Sequence, residues 1–394
     1  MEHELRHWLR LCMFFGIYLR QSTPKFAVAR SMLTLRTESY SCRRSSNSDK
    51  RRLLTPSHCY LCLIALTLCA LYVHGLHHCG GLPTLILTWV ASVVLFSMQV
   101  FTNLLILVET IRRRAQHAAF LQTLTAIEDA LKLRLHVNVH KPALLHEMRC
   151  LISCCAVCSL VGLLFFIIST HWLNYIGFFW HGLWSILTMR VRIIQLLLYV
   201  RILQHYLECL YAKLRQIVAY RLAPQQQLLD INYVRLASLE SLLAIKEIYT
   251  LIYGAFHLLN YFAGWSLFGI VNCYMFDVSC NVYWTLLSLS GYQNRRNYYV
   301  AGPLVLVPLL GIARRIAFLL NKLKIVCNTQ SLVPYRLVLQ QLSVQIKLQQ
   351  IEVTAQHFFV LELRLLMTIF SVTSTHLVIL VQFLYLELEL LGLP

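Results

Sequence analysis

The sequence predicts an all-α membrane protein with seven transmembrane helices, and two observations carry this prediction. The chain of 394 residues is 58% hydrophobic and only 13% charged, with a mean hydropathy of +0.61. A soluble domain has about 25% charged residues, and a disordered chain has far less apolar material. The apolar residues also cluster in uncharged stretches of about 20, the length that crosses a bilayer. The predicted spans are residues 57–76, 82–108, 151–173, 175–189 (continuing toward 203), 261–287, 298–313 and 365–386.

The distribution of basic residues predicts the orientation of these spans. The formal net charge is +18, and 30 of the 35 Lys and Arg residues lie in alternate inter-span stretches, starting with the segment before residue 57. The opposite stretches contain only Arg295 and Arg296. Cytosolic loops are enriched in Lys and Arg, so we expect a cytosolic N-terminus and, after seven spans, an extracellular C-terminus. This orientation is opposite to that of a G-protein-coupled receptor. Juxtamembrane basic residues also argue against a nucleic-acid partner.

The segments outside the spans divide the chain further. Residues 8–19 are apolar, but Arg10 interrupts them and no small-residue cleavage site follows, so we predict an interfacial helix on the cytosolic side rather than a signal peptide. Near-heptad apolar spacing from Leu339 to Val353 predicts a helix that packs on other helices below the membrane; a surface amphipathic helix is the alternative. The predicted units are a cytosolic segment 1–56, spans one to six with cytosolic extensions over 57–320, cytosolic helices over 321–364, span seven over 365–386 and an extracellular tail over 387–394.

Nothing in the sequence predicts an enzyme, a catalytic residue, a cofactor or a metal site. There is no phosphate-binding glycine-rich loop and no metalloprotease helix signature. Cys59 and Cys62 have CxxC spacing, as do Cys155 and Cys158, but these pairs lie in or beside spans and lack the second pair of a zinc site. We therefore expect the 14 cysteines to be mostly buried, inert thiols. A disulfide between Cys79 and Cys280, both near the outer face, is left open.

The seventh span carries a narrow polar stripe. At 100° per residue its members fall within about 100° of arc; they are Thr368, Ser371, Thr375, Val378, Gln382 and Tyr385. Polar residues within a membrane usually face protein or water. Helical spacing alone does not separate hydrogen bonding between helices from the lining of a water-filled path, and Tyr385 also fits an aromatic belt.

The nonamer Thr375–Phe383 resembles the seventh-span signature of insect gustatory receptors, which is Thr-Tyr, five hydrophobic residues and Gln-Phe. His376 stands in the Tyr position and is the one departure. The segment from Asn260 to Trp265, the pair Tyr283-Trp284 and the run 339–359 are also similar to this family, so the resemblance covers most of the chain.

The resemblance implies a ligand-gated, poorly selective cation channel in the plasma membrane of chemosensory neurons. It implies a homo- or heterotetramer in which each chain contributes span seven to a central pore. The cytosolic ends of spans four to seven would form an anchor between the subunits. Ligands would enter each helical bundle from the outer side, and the partners would be small-molecule tastants, membrane lipid and other receptor subunits.

Carried onto this sequence, the resemblance places Gln382 and Phe383 at an extracellular gate. Thr375 would lie lower, on the conduction path or in packing, with Ser371 and Val378 on the same stripe. An apolar gate can block ions by dewetting. His376 beside the stripe either titrates and modulates gating or packs in place of Tyr. Glu387 and Glu389 either concentrate cations outside or form a solvated tail.

Candidate ligand-pocket residues are aromatic or polar residues in the outer halves of spans. Asp277 is an acid well inside an outer half, which makes it a functional hypothesis, whereas the aromatic residues also fit an interfacial belt. The candidates are Trp172, Trp180, His181, Trp184, Tyr274 and Asp277. Sugar-tuned members of the family carry Glu where this chain has Leu377, so the resemblance favours bitter or other repellent ligands.

The main alternative is a multi-pass secondary transporter of small solutes. Such transporters show paired repeats with helices broken by Gly or Pro near mid-membrane. Pro303 and Pro308 are expected to break span six, but no matching half occurs elsewhere in the sequence.

Overall fold

The computed structural model describes residues 5–19, 56–79, 86–137, 141–172, 176–221, 239–289, 306–328, 333–356 and 358–390. Within these ranges the chain forms ten α-helices, one 3₁₀ turn and a pair of short strands. The elements are α1 (Arg6–Phe14), α2 (Pro56–Cys79), α3 (Ile86–Arg112), α4 (Arg114–Arg134), α5 (Lys141–Trp172), the 3₁₀ turn Ile176–Phe178, α6 (Phe179–Arg221), α7 (Leu239–Leu289), α8 (Val307–Asn328), α9 (Val333–Leu348), β1 (Thr354–Ala355), β2 (Phe359–Val360) and α10 (Leu363–Leu390).

Proline marks the start of four of these helices. Pro56, Pro142, Pro308 and Pro334 each occupy the first or second position of a helix. Proline has no N–H, and the first-turn N–H groups lack an intrahelical acceptor, so proline is tolerated there and presets the helical φ. Pro308 therefore begins α8 rather than breaking a span, which corrects the expectation; Pro303 lies outside the described residues.

Five helices of the described chain are long and apolar enough to cross a membrane: Ser57–His78, Ile86–Arg112, Pro142–Ile168, Leu239–Leu289 and Arg364–Glu387. They correspond to predicted spans one, two, three, five and seven. The fourth predicted span forms the first part of α6, which carries Arg190 and Arg192. The first half of the sixth lies outside the described residues. A total of seven spans stays a prediction.

Helices α6 and α7 form the centre of the molecule. Consecutive α6 residues from Ile193 to Leu198 are buried on every face, and α7 packs along α3, α4, α6 and α10. At about 1.5 Å per residue the 51 residues of α7 extend roughly 76 Å, more than twice the ~30 Å hydrocarbon core. The predicted fifth span is its second half, and the first half exceeds the length that a single crossing requires.

The N-terminal helix packs with one face on the helical bundle. Cys12 in α1 and Ile17 after it are fully buried, and α1 contacts α6. Gly16 has a φ of +72°, and a Cβ there would lie 2.7 Å from Leu107 and 2.8 Å from Leu61. Glycine permits both the left-handed turn and this close approach. One face of this segment is thus bound to the bundle, while Leu11 and Phe14 are exposed, and the interfacial location stays a prediction.

The predicted helix before span seven ends early. Helix α9 stops at Leu348, and Val353 lies in extended chain before the antiparallel strands β1 and β2. Asn260 of α7 holds the chain that follows, since its Nδ2 donates to the Glu352 carbonyl over 2.7 Å and its Oδ1 accepts from the Thr354 N–H over 3.1 Å. These bonds replace helical partners, so the strand pair separates α9 from α10.

Candidate functional site

Helix α10 is packed on one side only. Leu365 and Ile369 are buried in the main core, and Thr373 follows them on the same face. Farther along, its leucines pack on a cluster formed by α3, α7 and the 3₁₀ turn; these are Leu377, Leu380 and Leu384. Only 6% of the most apolar window of α10 is buried, against 50% for α7. A hydrophobic helix with so little cover needs contacts from outside the single chain.

The exposed side of α10 contains the polar stripe. All six stripe residues identified from the sequence are exposed, and so is Phe383; the six are Thr368, Ser371, Thr375, Val378, Gln382 and Tyr385. The hydroxyl of Thr375 donates to the Ser371 carbonyl over 3.1 Å, as a helical threonine in an apolar environment commonly does. The stripe is thus not used for hydrogen bonds to the other described helices of its own chain.

His376 points away from this stripe. Its ring stacks on Phe276 of α7 with centroids 5.3 Å apart, and its Nδ1 lies 3.4 Å from the Ser279 hydroxyl. Of the two alternatives drawn from the sequence, this geometry favours a packing residue between α10 and α7.

The C-terminal end of α10 is tied to α3 by Glu387. Its two carboxylate oxygens accept the N–H groups of Ile86 and Leu87, over 2.6 and 3.2 Å. These are first-turn amides of α3, where a negative charge is stabilised by unsatisfied donors and by the helix dipole. Glu387 is therefore held by α3 and does not lie in a free tail, whereas attraction of cations by its charge stays a prediction; Glu389 is exposed.

Two of the predicted pocket residues lie together in the bundle. Tyr274 and Asp277 of α7 are buried, and both interact electrostatically with Arg190 of α6. The Asp277 carboxylate accepts from Asn281 Nδ2 over 3.0 Å. Arg190, which follows the predicted span 175–189 directly, is only 1% exposed.

The Arg190 guanidinium is accommodated by the backbone of α5. It donates to the Ser159 carbonyl, and a methyl group at Gly162 would overlap with it. Its Nε and Nη2 have no hydrogen-bond partner among the described residues. A buried guanidinium with free donors beside Tyr274 and Asp277 makes this place in the bundle a candidate functional site.

The other pocket candidates do not join this cluster. His181 is buried near Phe96 and Tyr72, with ring centroids 6.2 and 5.8 Å away. Trp184 packs against Phe14 and Phe15 of the N-terminal segment, at 5.8 and 5.3 Å. Trp180 is exposed, and the side chain of Trp172 lies outside the described residues. The candidates therefore do not come together in one place among the described residues, and a role in ligand binding stays a prediction for each.

A second buried charge cluster joins three helices at the middle of α7. Glu109 of α3 accepts the backbone N–H groups of Trp265 and Ser266 over 3.1 and 3.0 Å. Arg192 of α6 lies 3.4 Å from the same carboxylate and donates to the Phe262 carbonyl over 3.2 Å. In a regular helix that carbonyl would accept from Ser266. The Glu109–Arg192 pair thus binds two N–H groups and one carbonyl of the α7 backbone within one helical turn.

Neighbouring groups reinforce this Glu109 cluster. The Arg113 guanidinium donates to the Tyr261 carbonyl. His117 stacks on Phe262 with centroids 4.4 Å apart. Burial, and then the Arg192 charge, lower the pKa of His117 to about 3, so its ring stays neutral beside the guanidinium.

A sequence signal for this cluster existed. Glu109 is the only acidic residue between Asp49 and Glu128, and it ends an apolar span. An ionisable residue there is costly unless it is paired. Across the described residues no group of three or more His, Cys, Asp or Glu side chains could hold a metal ion. Cys280 is a free thiol whose Sγ contacts the Ala91 carbonyl, while the side chain of Cys79 is outside the described part.

Comparison with known proteins identifies relatives of this chain. A family model described as 7tm chemosensory receptor matches residues 5–387. A gustatory receptor of Drosophila melanogaster, 39b, is 28% identical over 231 residues, which cover 52% of this chain and 59% of that relative. The match thus spans less than two thirds of the curated relative's length.

Solved structures show the same fold. The insect olfactory receptor OR5 from Machilis hrabei, alone and in complex with eugenol, aligns with TM-scores of 0.55 and 0.56 at 12% sequence identity. Both alignments cover 96% of this chain and 98% of the other.

Proposed function

Because the chain belongs to the 7tm chemosensory receptor family, we propose that it is a ligand-gated, poorly selective cation channel that detects small-molecule tastants. In this proposal the chain crosses the plasma membrane of chemosensory neurons seven times, with a cytosolic N-terminus and an extracellular C-terminus. Four chains, identical or from related receptors, surround a pore lined by α10. The eugenol complex of the olfactory receptor OR5 supports a small-molecule ligand.

The exposed polar side of α10 is the observation that carries the proposal. Hydroxyls and a carboxamide facing lipid are costly, whereas the same groups along a water-filled path are solvated. In the tetramer, the surface of α10 that is exposed on the single chain would contact the neighbouring α10 helices and the pore water. Val378 and Phe383, exposed at 57% and 56% on the single chain, supply the apolar surface on which a dewetting gate depends.

The proposed anchor is supported by the surface around α9. Leu337, Val344 and Leu348 are exposed apolar residues of α9. They border an open groove of about 470 Å³ that also contains glutamines of α9 and Lys246 of α7. An exposed apolar face next to a polar groove is suited to contact another subunit.

Ligand binding would act through the outer part of α7. Tyr274, Asp277 and Arg190 offer the polar contacts within the bundle. One to three turns farther along α7, Cys280, Tyr283 and Leu287 pack with the α10 leucines. Since close-packed side chains transmit small displacements, a shift of outer α7 moves the part of α10 that holds Gln382. Leu377 belongs to this contact and is apolar, and we propose bitter or repellent rather than sugar ligands.

The proposal is tested by recording currents from cells that express the chain, alone and with related receptor subunits. We expect repellent compounds rather than sugars to evoke currents carried by several cations. Thr375→Ala, on the exposed side of α10, is expected to change the current per channel, whereas Thr373→Ala, two residues away and buried, changes stability only. A saturable, stoichiometric solute flux without channel conductance would instead identify a secondary transporter.

A further inference from the structure

Helix α5 presents a row of cysteines to the outside of the bundle. Cys150, Cys154 and Cys158 are exposed, whereas Cys155 is buried. The exposed three are spaced by four residues and so share one face of the helix, and Cys155 lies about 100° around the helix from the middle of this row. Their exposure does not depend on a loop, since α5 is continuous from Lys141 to Trp172.

The same face of α5 continues as an apolar, exposed surface. Val157, Val161 and Leu164 follow the cysteines on it. Helix α5 packs mainly along α6, and only 28% of its most apolar window is buried. In a bilayer this face lies against lipid, and from Cys150 to Leu164 it is roughly 21 Å long, enough for an acyl chain spanning one ~15 Å leaflet.

The depth of the cysteines is set by the adjoining charges. Arg149 precedes Cys150, and in the proposed topology this end of α5 is cytosolic. Cys154 is then about 6 Å and Cys158 about 12 Å deeper. Helix α2 repeats the arrangement, because Cys59 and Cys62 are both exposed in its first two turns. Two peripheral helices thus carry exposed thiols near the cytosolic surface.

We propose that Cys59, Cys62, Cys150 and Cys154 are S-acylated with long-chain fatty acids. Exposed cysteines beside the cytosolic end of a membrane helix are the usual acceptors of this modification, and the attached chains strengthen membrane attachment. Here they would lie along the apolar face of α5 and hold both peripheral helices in the inner leaflet. This inference rests on the cytosolic N-terminus of the proposed function.

The reaction requires an acyl-coenzyme A donor and a cellular acyltransferase. The cysteine thiolate attacks the thioester carbonyl, a new carbon–sulfur bond forms, and the bond to coenzyme A breaks. Coenzyme A leaves as the thiol and takes the proton that the cysteine loses, so no oxidant or reductant is needed. Cys158 is too deep for an enzyme acting at the interface, and Cys155 is covered by protein.

The test uses the full chain expressed in insect cells fed an alkyne-bearing palmitate analogue. We expect hydroxylamine-sensitive labelling of the native protein, because hydroxylamine cleaves thioesters. Hydroxylamine frees each acylated thiol, which can then be coupled to a polymer mass tag. On a gel the tagged protein is expected to show up to four bands of increasing mass. The quadruple variant with alanine at residues 59, 62, 150 and 154 is expected to lose the label, while Cys158→Ala and Cys155→Ala keep it.

Absence of label on native protein at the cell surface would overturn the proposal, as would label that persists in the quadruple variant or disappears with Cys158→Ala. Mapping the label on the native protein by mass spectrometry decides the matter if the quadruple variant does not fold. An impermeant maleimide applied to intact and to permeabilised cells reports the side on which these thiols lie. Failure of the topology is thereby distinguished from failure of the modification, and ligand-evoked currents test the channel separately.

Discussion

Helices α7 and α10 are both apolar enough to cross a membrane, yet they relate to the rest of the chain in opposite ways. Their best windows have mean hydropathies of 1.4 and 1.7, but 50% of the α7 window is buried and 6% of the α10 window. The polar groups of α7 are bound within the chain, where Glu109 accepts two of its N–H groups. The polar stripe of α10 is exposed instead.

The difference shows that hydropathy identifies a membrane helix but not its surroundings. Polar atoms of α7 that lie inside the bundle require partners from α3 and α6, so mutations there are expected to affect folding. The exposed stripe of α10 forms no hydrogen bonds to the other described helices of its own chain, so mutations there are expected to affect conduction rather than folding. Variants of the two helices and of their partners separate these two kinds of effect, each with a matched control.

The largest expected effect is at the Glu109 cluster. Glu109→Ala leaves Arg192 buried without a counter-charge and removes the acceptor of two α7 amides, a loss of about 3–5 kcal/mol. Little monodisperse protein should be recovered by size-exclusion chromatography in detergent. Glu147→Ala is the control, since it removes an exposed partner of Arg201 and costs about 0–1 kcal/mol. Equal yields for the two variants would show that the buried pair does not support α7.

Two glycines of α7 provide a sharper test of its packing. A Cβ at Gly264 would lie 2.8 Å from the backbone nitrogen of Gln356, whereas one at Gly254 meets nothing within 4 Å. Gly264→Ala is expected to destabilise the protein by about 1–3 kcal/mol through overpacking. Gly254→Ala is expected to be neutral or to stabilise by up to about 1 kcal/mol, because alanine favours the helix. Thermal unfolding in detergent measures both; a melting temperature for Gly264→Ala at or above that of the native protein would contradict the contact.

A smaller effect is expected at the outer end of α10. Glu387→Gln removes the negative charge from the first turn of α3, and such an interaction contributes about 0.3–2 kcal/mol. Because the contact ties α10 to α3, we expect a shift in the ligand concentration for half-maximal current with little loss of surface protein. Glu389→Gln, at an exposed position, should leave the concentration unchanged. Identical dose–response curves for all three proteins would mean that this contact is not coupled to opening.

Much of the membrane architecture was predictable, because uncharged stretches of about 20 residues are rare outside membrane spans. The polar stripe of α10 was also visible, since helical periodicity alone places Thr375 and Gln382 on one face. The strand pair after α9 was missed because it depends on Asn260, nearly a hundred residues away in sequence. The burial of Arg190 and the position of Trp184 likewise follow from which helices pack together, which periodicity within one helix does not reveal.

Access of water to α10 in the assembled channel is the most direct test of its role. The described part of α10 contains no cysteine, so single cysteines can be introduced and treated with a charged methanethiosulfonate during ligand-evoked currents. We predict that Thr375→Cys and Gln382→Cys are modified and lose current irreversibly, whereas the buried Ile369→Cys and the native protein are unaffected. Equal protection of all three introduced cysteines, or modification only at position 369, would contradict a pore lined by the exposed face of α10.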